Sequence, residues 1–233
     1  MKRIVPKHHL AIRWFHWVNF PMLTIMIWSG LLIYWAHDVY HISIGKTTVF
    51  KFFPKGLYQS LGIPHHLAEG MAYHFLFMWA FILNGILYVA YTLVSGEWRH
   101  LWPERTSFRE AWQVVLYDLH LRKEQPSFDK YNAAQRIAYT AIIFMGMGSV
   151  ITGFAIYKPV QLNWLCALCG GYEAARLEHF ILVIGYCLFF LVHIFQVIKT
   201  GWNNFRGMVA GFEVVNDPDP LPTTTNETYE QSA

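Results

Sequence analysis

Four stretches of this chain are each long and apolar enough to cross a lipid bilayer, and that feature constrains everything else. A helix needs about 20 mainly apolar residues to cover a hydrocarbon core ~30 Å thick. The stretches fall at about residues 10–35, 66–94, 134–157 and 173–199. None alternates with period two, and backbone groups in lipid must be satisfied internally, so each is expected to be a helix. The predicted fold class is therefore all-α, a four-transmembrane-helix bundle formed by residues 1–215. Residues 216–233 carry Asp, Pro and Thr with no apolar pattern and are expected to be a disordered tail.

Composition supports this and excludes other classes. Only 14% of residues are charged, against roughly 25% in soluble domains. Aromatics reach 18%, with ten Trp, as two lipid interfaces would demand. A net charge of +3 beside such apolar runs argues for lipid, not nucleic acid, as the surroundings. Three cysteines cannot build a disulfide framework. The basic N-terminus runs into an apolar stretch that carries Arg13 and His16 and lacks a small-residue cleavage site, so it reads as the first span and not as a cleaved signal.

Lys and Arg counts orient the spans. Thirteen of the 18 fall on one side: at the N-terminus, in the connection between spans two and three, and after span four. The other side has Lys46, Lys51, Lys55, Lys158 and Arg176. Both termini are thus expected to be cytoplasmic, in a bacterial inner membrane. In the outer connection, Val49–Leu61 is apolar and basic and suits the lipid interface. In the inner one, Ser107–His120 is patterned as a short amphipathic helix.

Four of the twelve histidines lie well inside spans: His16, His74, His179 and His193. An ionisable residue in a span is costly and points to function. His179 and His193 are fourteen residues apart on span four. At ~100° and 1.5 Å per residue they share a face to within about 40° and lie ~21 Å apart along the axis. Span two enters from outside and brings His74 to the depth of His179. Span one enters from inside and brings His16 to the depth of His193. Two imidazole pairs at two depths match two bis-imidazole b haems in the bundle core, an outer one on His74/His179 and an inner one on His16/His193. A single intramembrane histidine is often only a packing residue, but two depth-matched pairs are not explained that way. A structural zinc site would gather its four ligands at one point. No Cys-x-x-Cys-His is present, which argues against covalent haem attachment.

The words around these histidines resemble a known family. Arg13-Trp-Phe-His-Trp17, Tyr131-Asn-Ala-Ala-Gln-Arg-Ile-Ala-Tyr139 and Glu178-His with His193 thirteen residues further on are similar to the di-haem cytochrome b subunits of membrane-bound hydrogenases, formate dehydrogenase and thiosulfate reductase. The resemblance is closest to the thiosulfate-reductase type, some of which accompany molybdopterin enzymes, and covers about residues 8 to 210. It implies the same ligand pairing, a quinone site beside the inner haem, and a periplasmic oxidoreductase partner at the outer face. The long outer loop, with His37, His41, His65 and His66, departs from the pattern, and His65 or His66 stands as an alternative to His74.

Other residues keep two readings. Arg13, Arg136 and Arg176 lie at span ends, where haem propionates would emerge and where Arg also snorkels to headgroups. Trp17, like Trp14, flanks His16 and suits the wall of a haem or quinone site. Asn19, His9 and Lys199 are candidate polar groups for quinone. Cys166 and Cys169 suit a disulfide, a redox contact, or merely small residues in a turn. The function expected is a membrane anchor and electron-transfer subunit between a quinone pool and a periplasmic partner. The rivals are a stand-alone quinone-linked oxidoreductase and a haem-free protein whose histidines relay protons.

Overall fold

The computed structural model describes residues 2–36, 40–44, 46–62, 65–124 and 131–216. His37 and the expected tail beyond Asn216 lie outside the described residues. Eight helices are present among them: α1 (Leu10–Trp35), α2 (Lys55–Ser60), α3 (Leu67–Ser95), α4 (Trp98–Leu101), α5 (Ser107–Asp118), α6 (Ala133–Tyr157), α7 (Asn163–Leu168) and α8 (Tyr172–Ala210). The strands are β1 (Lys2–Pro6), β2 (His41–Ile44), β3 (Thr47–Lys51) and β4 (Phe212–Asn216). The four long helices α1, α3, α6 and α8 are the expected spans, with ends within two residues of the expected ones except at the end of α8. The fold is an all-α transmembrane bundle with two small hairpin-like additions. Large apolar side chains on these helices point outward, Leu76 and Leu191 being 65% exposed each, as a lipid solvent requires.

The chain divides into two compact units, one running from Phe15 to Val192 and one made of its two terminal stretches. In the first, the helices start and stop where local chemistry dictates. α3 ends at Gly96, whose φ of 78° is the left-handed cap that glycine adopts cheaply. α6 starts on a capping box, with Asn132 Oδ1 accepting from Gln135 N at 2.9 Å and Gln135 Oε1 accepting from Asn132 N at 3.0 Å. Between α1 and α3, β2 and β3 pair antiparallel, and the expected interfacial stretch becomes β3 followed by α2. This loop is pinned by aromatics: Tyr40 stacks on Phe180 at 4.5 Å, and Phe52 and Phe53 pack against the same ring. Tyr34 donates to the Arg176 carbonyl at 2.9 Å. Between α3 and α6, the expected amphipathic helix is α5, which packs along α6.

In the terminal unit, β1 pairs antiparallel with β4, Lys2 opposite Asn216 and Pro6 opposite Phe212. Lys7 Nζ donates to Asn204 Oδ1 at 2.8 Å and meets Glu213 Oε2 at 2.6 Å. The helix of span four runs to just past the expected end at residue 199. It breaks at Gly201 (φ 79°, ψ 179°) and resumes to Ala210, because only glycine takes that backbone shape without strain.

Candidate haem-ligating site

The best-defined site lies in the first unit. His74 on α3 and His179 on α8 face each other with ring centroids 6.2 Å apart and planes at 75°. A metal–imidazole bond runs about 2.0–2.1 Å. Adding roughly 1.1 Å from ring nitrogen to centroid on each side gives ~6.3 Å for two imidazoles sharing one metal ion. The observed separation fits a shared iron, and it also lies within the range of roughly 4.5–7 Å of an edge-to-face ring pair.

Both rings are held from behind in the same way. Ser29 on α1, fully buried, places Oγ 3.0 Å from His74 Nδ1. Thr152 on α6, 4% exposed, places Oγ1 2.8 Å from His179 Nδ1. Each hydroxyl spends its single proton on its own helix, Ser29 on the Met26 carbonyl at 3.2 Å and Thr152 on the Gly148 carbonyl at 2.7 Å. With that proton on the carbonyl, each oxygen is left to accept, an arrangement that places the ring proton on Nδ1. That leaves Nε2 with a lone pair on each, the state a metal-ligating histidine needs. The residue after each hydroxyl is glycine. A Cβ at Gly30 would meet His74 Cε1 at 3.4 Å, and one at Gly153 would meet His179 Cε1 at 3.5 Å.

Sequence reasoning named the two histidines but missed Ser29 and Thr152. The available signal was a hydroxyl residue beside a glycine at the depth of each histidine. Of the outer-loop alternatives, His65 packs edge-on against Trp35 and His66 pairs with Glu69 at 3.2 Å, while His74 is the one opposite His179. Cys166 and Cys169 are both free thiols, buried with Ala155, Leu165 and Ala175. Burial pushes the Cys169 thiol above its usual range, and the Glu178 carboxylate adds to the rise.

Near the start of α1, His16 sits edge-on to Trp17, centroids 5.1 Å apart, and Trp17 leads to Phe20 at 6.4 Å. Asn84 donates to Asn19 Oδ1 at 3.4 Å, a polar pair joining α3 and α1 within the apolar layer. His193 lies half-buried on α8 in the terminal unit. The three arginines are each engaged by protein. Arg13 donates to the Val209 carbonyl, Arg136 to the Trp102 carbonyl and Glu104, and Arg176 to Glu173.

A family model described as prokaryotic cytochrome b561 matches residues 7–211. The chain belongs to this family. It is a multi-pass membrane cytochrome b that binds b-type haem and serves electron transfer. A curated relative from Azospira oryzae, named "Putative protein-methionine-sulfoxide reductase subunit YedZ1", is 30% identical over 197 residues, covering 84% of this cytochrome and 92% of the relative. Neither comparison singles out the thiosulfate-reductase branch of the resemblance.

Proposed function

We propose that this cytochrome b carries two haems in one membrane domain spanning residues 1–215, and joins a quinone pool to a periplasmic oxidoreductase. His74 and His179 would hold the outer haem, supported by their 6.2 Å separation and by the Nδ1 protons that free both Nε2 atoms. His16 and His193 would hold the inner one. Support for that pair comes from the fourteen-residue spacing of His179 and His193 on one helix face and from the place of His16 early in α1. When bound, the haems supply one-electron chemistry that links the two sides of the bilayer.

The chain's own residues do the rest. The helices orient the imidazoles, and the apolar walls exclude water. Arg176 on the outer side, and Arg13 and Arg136 on the inner, would offer guanidinium groups to propionates. Trp17 would wall the inner site, with the Asn19–Asn84 pair as polar contact for a quinone. The Lys and Arg bias supports cytoplasmic termini in a bacterial inner membrane. The relative's name supports a partner that is a reductase, which would draw electrons from quinol; a molybdopterin cofactor in that partner rests on the family resemblance alone.

The observation that carries the proposal is the His74–His179 geometry. The test is reduction of the purified, haem-loaded protein in lipid nanodiscs by a soluble quinol, followed in the α-band. Quinol should reduce both haems, and His16→Ala should slow reduction of the outer haem at least tenfold while leaving that haem in place. Unchanged reduction of the outer haem in His16→Ala contradicts an inner haem lying between it and quinol. Full activity on a small diffusible substrate without a partner would instead favour the stand-alone enzyme.

A further inference from the structure

The geometry points to Ser29 and Thr152 as positioning residues that set the potential of the outer haem by accepting the Nδ1 protons of its two ligands. The inference rests on the proposed ligation by His74 and His179 and goes beyond it, since ligation alone assigns no role to either hydroxyl.

Three features separate this from ordinary packing. Each hydroxyl is buried, so water does not compete for the ring proton. Each has a carbonyl one turn back on its own helix to take its proton, which leaves its oxygen to accept from the ring. The arrangement also occurs twice, on different helix pairs, α1 with α3 and α6 with α8, each time with glycine as the next residue. Two unrelated packing contacts would not be expected to share donor direction, acceptor atom and neighbour.

The chemical consequence has a definite sign. An imidazole that donates its Nδ1 proton gains electron density at Nε2 and becomes a stronger ligand. A stronger ligand favours ferric over ferrous iron and lowers the midpoint potential. The two residues are not equivalent. The Thr152–His179 contact is 2.8 Å and the Ser29–His74 contact 3.0 Å. The shorter contact is the stronger one, so Thr152 should have the larger effect.

The test is a redox titration of the purified full-length protein, read by the outer-haem α-band and by its low-spin ferric EPR signal, for Thr152→Val, Thr152→Ser and Ser29→Ala. Valine keeps the shape of threonine and removes the oxygen, whereas serine keeps the oxygen and removes the methyl group. Thr152→Val is expected to retain two haems and to shift the ferric/ferrous ratio of the outer haem about tenfold toward ferrous, ~59 mV upward for one electron. Thr152→Ser should restore the wild-type potential, Ser29→Ala should shift it less, and the inner haem should not move. Haem loss in Thr152→Val with retention in Thr152→Ser also supports positioning through the oxygen. An unshifted potential in Thr152→Val, or equal damage in the valine and serine variants, overturns the inference. His179→Ala serves as the separate check: retention of both haems there would defeat the ligation itself, whatever the threonine variants do.

Discussion

Replacing Gly70 by alanine probes how tightly the outer site is held. Gly70 lies one turn before His74 on α3 and is buried against α1. A Cβ there would stand 2.9 Å from Leu32 Cβ and 3.1 Å from the Ser29 carbonyl oxygen. Carbon contacts relax at about 3.5–4.0 Å. Neither neighbour is the tip of a flexible side chain, so α1 and α3 must part by roughly 0.5–1 Å. The Ser29–His74 contact, now 3.0 Å, would then stretch to about 3.5–4 Å and cease to be a hydrogen bond. Overpacking costs about 1–3 kcal/mol, and the better helix propensity of alanine returns up to ~1 kcal/mol. A net loss of about 1–2 kcal/mol lowers the melting temperature of a chain this size by roughly 2–8 °C. The assay is thermal unfolding in detergent beside Gly85→Ala, a site on the same helix where a Cβ meets nothing within 4 Å. Gly85→Ala should be neutral or slightly stabilising. Equal melting temperatures for the two variants would refute the close approach of α1 and α3.

Two further outcomes follow from the outer region. Tyr34→Phe removes a buried donor to the Arg176 carbonyl and should cost about 0.5–1.5 kcal/mol, read as a lower melting temperature; an unchanged one would mean the bond adds nothing. Cys169 should resist a water-soluble maleimide in the folded protein at pH 8, because burial and Glu178 raise its thiol. Since only the thiolate reacts, labelling should rise as pH climbs beyond the usual thiol range, and rapid labelling at pH 8 would show that the site is open.

The four spans were legible because length and hydropathy in lipid admit only one backbone solution, and α1, α3 and α6 end within a residue of where the apolar runs end. The fourth ends at the Gly201 break, two residues past the expected end. Thr200, Gly201 and Asn203 look like an exit from the membrane, yet the helix resumes after the Gly201 break. The pairing of β1 with β4 was not legible, since its strands lie at opposite ends of the chain and carry no turn between them to announce a hairpin. His74 and His179 were found because histidine in lipid is costly enough to stand out. Ser29 and Thr152 were missed because a hydroxyl can satisfy itself on its own helix, so its presence in a span raises no alarm. Their role appears only when the facing ring is located.

Haem per chain tests the central claim most directly. A pyridine haemochrome assay on purified protein is expected to give two b haems per chain, falling to one in His74→Ala and to one in His16→Ala, with different α-bands lost. Two haems retained in His74→Ala, or no haem in wild-type protein from haem-replete cells, would contradict the account.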